Sequence, residues 1–452
     1  MTLVLAVFVR GENFKLRQFH RFIWAKPLSF ESPIRLFIRV LSCVSWAKIC
    51  TELADTDSWK TLLASEADKP RNMGFMPRVN TGVVIIGAGP AGLAVGACLR
   101  RRNIPFEIFE RANSVAPAWR RHYERLHLHT PKGSSGLPYK PFPPDYPRYP
   151  SRQQVVDYLE DYAAGFELRP RFGEEVVAVR PQAANEWEVT TSKTKCTARA
   201  VVIASGLGFD RNRPAIAGLE IFRGPMVHSA DYFNGEPYRG QRLLVIGFGN
   251  SGAEICLDLV EHGASPTVSV RGPVTIIPRE LAGLPIVTIA NAFRFLPAAV
   301  VDFFFRPVLR AVIGDLRAYG LQTPADGPMV QVAQSSRVPV LDIGTLKLIK
   351  QGRVKIAVGI RRVTDSGVFF EDGSSAVFDA IILATGSRPK LDFLKVGQMP
   401  EWQRQPRSIP TQGRPALPHL YFCGFHVPVT GMLREIAIEA RHIAERIAAD
   451  RR

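Results

Sequence analysis

Residues 83–111 read VVIIGAGPAGLAVGACLRRRNIPFEIFER, and residues 243–271 read LLVIGFGNSGAEICLDLVEHGASPTVSVR. Each is an apolar run, a glycine turn, a stretch with helical spacing and a second short apolar run. An apolar, β-branched run of this length suits a parallel strand buried on both faces. In the first stretch Gly87, Gly89 and Gly92 give G-x-G-x-x-G. The first glycine permits the tight turn, the second lets a pyrophosphate approach the backbone, and the third lets the helix pack on the strand. The helix expected from 90 to about 102 aims its free N–H groups at phosphate. Gly247, Gly249 and Gly252 repeat the plan, with a helix to about 261. Asn250 and Ser251 are placed to donate from the start of that helix or to cap it.

The two units end in opposite charge. Glu110 closes FEIFE, where a carboxylate accepts hydrogen bonds from ribose hydroxyls, which suits FAD. Arg271 closes TVSVR, where a guanidinium holds a 2′-phosphate bidentately, which suits NADPH over NADH. Both units are followed by short strand patterns closed by an apolar strand and a Ser-Gly or Thr-Gly turn, Ser205-Gly206 and Thr385-Gly386. The expected fold is α/β, with two Rossmann-like dinucleotide-binding domains and the NADPH domain inserted into the FAD domain. HLYFCGF and the helix expected over 431–448 return to the first domain. The expected boundaries are a basic N-terminal extension over 1–78, a first FAD-binding part over 79–215, an NADPH-binding domain over 216–387 and an FAD-binding return over 388–452.

The 452 residues suffice for two or three domains, and 46% hydrophobic and 22% charged residues are ordinary for a globular protein. The net charge of +17 suits anionic small molecules, nucleic acid or an acidic membrane surface. No basic patch interleaved with aromatics and no zinc-finger spacing is present, so neither nucleic acid nor metal is expected. Residues 1–50 hold eight Lys/Arg and two acids. They read as a transit-type extension, as a membrane-association segment, or as sequence upstream of a start at Met73 or Met76. On each reading the segment is expected to be poorly ordered and peripheral to the chemistry. The stretch over 293–314, FRFLPAAVVDFFFRPVLRAVIG, is too interrupted by Asp302, Arg306 and Pro307 to span a bilayer. It is expected to be a buried helix beside a substrate pocket, with a weak membrane-surface helix as the alternative. The six cysteines, Cys43, Cys50, Cys98, Cys196, Cys256 and Cys423, form no C-x-x-C pair. That points to a reducing, cytoplasmic setting and argues against a disulfide reductase, whose flavin needs a thiol pair beside it.

Between the two units stands FRGPMVHSADYF, in which Phe222, Gly224, His228 and Tyr232 give F-x-G-x-x-x-H-x-x-x-Y. This resembles the signature of the flavin-containing monooxygenases. The chain is similar to the YUCCA subgroup of that family in GNSGAEICLDL, in GPMVQVAQSSRVPVLDIGTLKLIKQGRV and in the segment over 126–163 that begins LHLHTPKGSS. Many family members have Asn where this chain has His129 in H-x-x-K, and Arg434-Glu435 replace the small residues usual near the C-terminus. Ser387 stands where the family often has an aromatic residue.

The resemblance implies an FAD- and NADPH-dependent oxidoreductase. NADPH would reduce the flavin, the flavin would form a C4a-peroxide with O2, and one oxygen atom would pass to a small organic substrate. For the subgroup that substrate would be an aryl-pyruvate such as indole-3-pyruvate, oxidatively decarboxylated. N- or S-oxygenation, Baeyer–Villiger oxidation and a non-oxygenating NADPH:acceptor reductase remain open. The resemblance further implies that Trp119 and Arg120 help hold FAD, and that His129 and Lys132 stand at the flavin–nicotinamide junction as catalytic candidates. His228 would be a linker residue, and one of Arg279, Arg294 and Arg310 would meet a substrate carboxylate.

Overall fold

The first glycine stretch folds as strand β1 (Arg78–Ile86), helix α1 (Pro90–Arg100) and strand β2 (Phe106–Glu110). The computed structural model describes residues 78–450 apart from 183–184, 209, 294, 336–337, 398–408, 427 and 429. The expectations for the N-terminal extension lie outside the described residues. Pro90 opens α1, where its fixed φ suits a helix and its missing N–H is no loss. Helices α2 (Pro117–Arg121) and α3 (Arg152–Gly165) follow, then strands β3 (Arg171–Phe172), β4 (Val176–Pro181), β5 (Trp187–Thr191) and β6 (Lys195–Ile203). Ser151 and Gln154 form a reciprocal capping box at the start of α3.

These strands form one sheet in the order β3-β2-β1-β6-β5-β4. β1 lies parallel to β2 and β6, with Ile85 opposite Ile108 and Val202. The far edge of β6 is shared. Its first half pairs antiparallel with β5, from Lys195 to Ala198, and its second half is open to another partner. The second unit supplies strands β7 (Met226–His228), β8 (Arg242–Ile246) and β9 (Ser265–Ser269), with helix α4 (Asn250–Glu261) between the last two. With β10 (Lys355–Ala357) and β11 (Ala380–Leu383) they form an all-parallel sheet in the order β10-β9-β8-β11-β7. Strand β12 (Leu420–Phe422) then returns to the first sheet and takes the open half of β6, with Leu420 opposite Val201 and Phe422 opposite Ile203.

Helix α1 is buried from Ala91 to Leu99 because the C-terminal helix, Met432–Ala449, covers the side that the sheet does not. An apolar-all-round helix such as LAVGACL is stable only in such a sandwich. Val84, Ile85, Val202 and Ile203 are each fully buried in the sheet, and each contributes about 1.5–3 kcal/mol relative to exposure.

The helices inserted between β9 and β10 include α5 (Ile286–Ala292), α6 (Ala298–Ile313) and α7 (Pro328–Ser335). Asp302 on α6 is buried and accepts from the N–H groups of Met329 (3.0 Å) and Val330 (2.9 Å), so it clamps α6 to the start of α7. Helix α6 is not the buried helix that its composition suggests. Val301, Phe305 and Leu309 face the cavity described below, but Phe303 and Phe304 are 74% and 66% exposed. Apolar residues occupy most of the helix circumference beside the stripe of Asp302, Arg306 and Arg310, and the protein covers only part of them. A second expectation is also revised. His228 lies on β7, an edge strand of the second sheet, and not in a linker.

Candidate functional site

The two glycine turns have the same construction. Gly87 has φ +109° and Gly247 has φ +102°, a left-handed conformation that glycine adopts without strain. A Cβ on Gly92 would lie 1.9 Å from the Gly87 carbonyl oxygen, and one on Gly252 would lie 2.2 Å from that of Gly247. Helix and strand are therefore locked together at these points. Gly89 and Gly249 differ: a Cβ at either meets nothing within 4 Å. They cap α1 and α4 in extended conformation with no side-chain hydrogen bond, so the first-turn N–H groups of both helices face open space. The steric need for glycine at these two positions comes from outside the protein, and both cradles fit a dinucleotide pyrophosphate.

At the end of β2, Glu110 is buried and accepts from the N–H groups of Ala88 and Ala112, both at 2.8 Å. Each oxygen keeps a lone pair for a further donor. Arg271 lies two residues beyond β9, exposed, and no hydrogen bond or ion pair engages it among the described residues. Asn250 is the first residue of α4 and does not cap it. Its amide holds the neighbouring chain, accepting from Leu341 N–H at 2.7 Å and donating to Pro339 at 3.3 Å. The Ser251 hydroxyl lies beside the Tyr123 phenol, which burial first, and then the nearby Glu254 carboxylate, push well above its ordinary pKa.

A cavity of about 1000 Å³ runs from the first cradle to the inserted helices. Gly87, Gly89 and Glu110 line one end, Trp119, His129 and Asn250 the middle, and Ile277, Val287, Phe293, Phe305 and Met329 the other. The site is thus polar and glycine-walled at the cofactor end and apolar at the far end. The four cysteines among the described residues are free and buried, and none lines this cavity. A thiol relay has no place to stand in it.

Two expected site residues stand elsewhere. Arg120 is spent on the Val115 carbonyl at 2.9 Å and on Glu160, and only its neighbours Trp119 and Arg121 reach the cavity. The Lys132 ammonium donates to the carbonyls of Pro143, Pro144 and Tyr146, so it ties down a proline loop away from the cavity wall. Of the arginines considered for a substrate carboxylate, Arg279 lies over the Tyr149 ring at 4.2 Å and Arg310 is exposed on α6. Arg294 lies outside the described residues.

His129 meets an unexpected partner. Its Nε2 is hydrogen-bonded to Oε1 of Glu254, on the second turn of α4 and 1% exposed. Glu254 and Asp258 are the two acids of the otherwise apolar run AEICLDLV, and charged residues at such positions are the signal that sequence reading passes over. Asp258, one turn on, is also buried and accepts from the Tyr232 phenol at 2.5 Å. That bond explains the last position of F-x-G-x-x-x-H-x-x-x-Y. The histidine of the motif places Nε2 3.2 Å from the Gly386 carbonyl, and a Cβ on Gly224 would collide with the Phe222 ring at 2.6 Å. Burial lowers the His228 pKa. The motif is a brace within the second unit.

The fold and site define a two-dinucleotide flavoprotein with no redox thiol pair among the described residues. The family model described as pyridine nucleotide-disulphide oxidoreductase matches residues 84–279. The chain is 43% identical over 311 residues to indole-3-pyruvate monooxygenase YUCCA1 of Oryza sativa subsp. japonica, covering 68% of this chain and 77% of that one. It is 41% identical to indole-3-pyruvate monooxygenase YUCCA6 of Arabidopsis thaliana, covering 71% and 79%. Among solved structures, a variant of the flavin monooxygenase from Stenotrophomonas maltophilia superposes with TM-score 0.63 at 25% identity, over 82% of this chain and 99% of that one. Cyclohexanone monooxygenase from Rhodococcus sp. Phi1 bound to NADP+ has the same fold, with TM-score 0.66 at 20% identity over 83% and 85%. The chain belongs to the YUCCA family of flavin-containing monooxygenases. It is an oxidoreductase, and its family cofactors are FAD and NADPH.

Proposed function

We propose that this enzyme oxidatively decarboxylates an aryl-pyruvate, indole-3-pyruvate first, to the corresponding acetate with NADPH and O2. One oxygen of the product carboxylate comes from O2 and the other O2 atom leaves as water, with carbon dioxide and NADP+ as co-products. The observation that carries the reading is the single cavity joining the glycine-walled end to an apolar end wide enough for a ring, in a chain 43% identical to an indole-3-pyruvate monooxygenase. FAD supplies the oxygen-activating chemistry when bound. The residues assigned to it are Gly87, Gly89, Gly92, Glu110 and Trp119, in a domain built from 79–215 and 388–452. NADPH falls to the inserted domain over 216–387, with Gly247, Gly249, Gly252 and the free Arg271. The inserted helices exclude water from the apolar end, where Val287, Phe293 and Phe305 stand. His129 orients or moves a proton at the centre.

The test is a substrate panel. Purified protein with NADPH and O2 is given indole-3-pyruvate, phenylpyruvate, a tertiary amine and a cyclic ketone. Aryl-pyruvates are expected to raise NADPH use in step with acid product. Product from the amine or the ketone alone, or NADPH use without any product, refutes the reading.

No helix among the described residues is long and apolar enough to cross a membrane. We place the enzyme in the cytoplasm, with a weak membrane contact through the exposed Phe303 and Phe304 face of α6. Serine at both positions is expected to abolish co-sedimentation with anionic vesicles. Absence of any wild-type co-sedimentation rejects that contact.

A further inference from the structure

Glu254 is a buried carboxylate with half its hydrogen-bonding capacity unmet. Its Oε1 takes the Nε2 position of His129, and its Oε2 is sealed from solvent with no hydrogen bond of its own among the described residues. Burying a charge is unfavourable unless a partner compensates it. The groups facing this carboxylate are the His129 and His122 rings, the Tyr123 phenol and, more distantly, Arg125. All four come from the loop after α2 in the first unit. The carboxylate itself belongs to the second unit, one turn beyond Asn250, Ser251 and Gly252.

The asymmetry between the two partners matters. His129 lines the cavity and its side chain is 23% exposed; Glu254 is absent from the wall. With a carboxylate on Nε2, that nitrogen carries the proton. Nδ1 is then the atom left for whatever occupies the cavity, and no hydrogen bond engages it among the described residues. A histidine whose tautomer is fixed by a buried carboxylate presents one defined lone pair, where an unpartnered ring presents either nitrogen.

We propose that Glu254 is a positioning residue that acts through His129: from the NADPH-binding helix it locks the imidazole of the other unit, with Nε2–H held and Nδ1 presented to the cavity. The pair exists only while the two units are docked, so it marks the assembled site. The inference rests on the monooxygenase reading for its catalytic consequence, but not for its structural one.

The holoenzyme, labelled with 15N at histidine, is used for the test, with each histidine signal assigned by substitution. The wild-type His129 ring is expected to give a protonated Nε2 and an unprotonated Nδ1 signal; a mixture of tautomers overturns the proposal without any activity measurement. Glu254→Gln is isosteric, but its amide can donate to Nε2 as well as accept. Its His129 signals are expected to move toward the opposite or mixed tautomer. For product formation kcat should fall about 100-fold, the scale of a displaced catalytic group, with little change in KM for NADPH. In a His129→Gln background Glu254→Gln should lower kcat no further. Equal losses with and without His129, or an unmoved ring signal, refute the coupling. Should Glu254→Gln fail to fold, the wild-type spectrum decides alone. A protein that shows the locked ring yet oxidises no aryl-pyruvate sinks the substrate reading and leaves the pairing intact.

Discussion

Gly89→Ala separates what the fold needs from what a ligand needs. Gly89 has φ −80°, which alanine adopts freely, and its added Cβ meets no protein atom within 4 Å. Losing a glycine restricts the unfolded chain, so the apoprotein is expected to gain about 0.4–1 kcal/mol of stability. The same methyl group projects into the space before the first turn of α1, where a pyrophosphate oxygen must come within hydrogen-bonding distance. FAD affinity is expected to fall at least about 100-fold, about 2.8 kcal/mol. Gly92→Ala is the counterpart. Its Cβ would lie 1.9 Å from the Gly87 oxygen against an ordinary contact of 3.4 Å, so helix and strand must part by the difference, 3.4 − 1.9 = 1.5 Å. That overpacking costs about 1–3 kcal/mol and degrades stability and flavin binding together. The assay is thermal unfolding of both apoproteins, followed by FAD titration monitored by quenching of flavin fluorescence. Gly89→Ala apoprotein that binds FAD like the wild type refutes the reasoning, as does a loss of apoprotein stability equal to that of Gly92→Ala.

Arg271→Ala removes a free guanidinium; KM for NADPH is expected to rise about 10- to 150-fold, the range for charge-assisted bonds of about 1.5–3 kcal/mol, with KM for NADH unchanged. An equal effect on both coenzymes removes its phosphate role. Lys132→Met strips three carbonyls of their donor and should lower unfolding stability by about 1–3 kcal/mol while leaving kcat per folded, FAD-loaded enzyme unchanged. A selective loss of kcat restores it as a catalytic candidate. Burial pushes the Cys98 and Cys196 thiols from 9.0 up to about 11. Their unfolded forms ionise first as pH rises, so the stability they contribute is complete below pH 9 and is lost between 9 and 11. Thermal unfolding across that window should show the decline, and Cys98→Ala should flatten it.

The glycine turns were legible because their geometry is local. The positive φ of Gly87 and Gly247 and the crowding at Gly92 and Gly252 follow from one strand–turn–helix unit, and the residues that impose them lie in that unit or on the strand beside it. Side chains whose partners arrive from far along the chain were not. Lys132 and Arg120 have the charge a cofactor site wants, but carbonyls of the Pro143–Tyr146 turn and Glu160 take them first. His228 reads as a linker residue until β11 arrives to pair with Met226–His228. Helix α6 has a narrow polar stripe, Asp302, Arg306 and Arg310, and is apolar over the rest of its circumference, so its pattern cannot say which part of the apolar surface the protein leaves uncovered. Glu254 was missed because an acid in a largely apolar run such as AEICLDLV looks like a tolerated exception, and only the tertiary contact shows what it holds.

The central claim is that the enzyme brings FAD, NADPH and an aryl-pyruvate together for transfer of a single oxygen atom. The measurement that tests it most directly is mass spectrometry of the acid formed from indole-3-pyruvate and NADPH under 18O2. The account predicts one heavy oxygen in the carboxylate and one equivalent of NADPH consumed per acid. Acid without heavy oxygen, or NADPH consumed only to hydrogen peroxide by FAD-loaded enzyme, contradicts it.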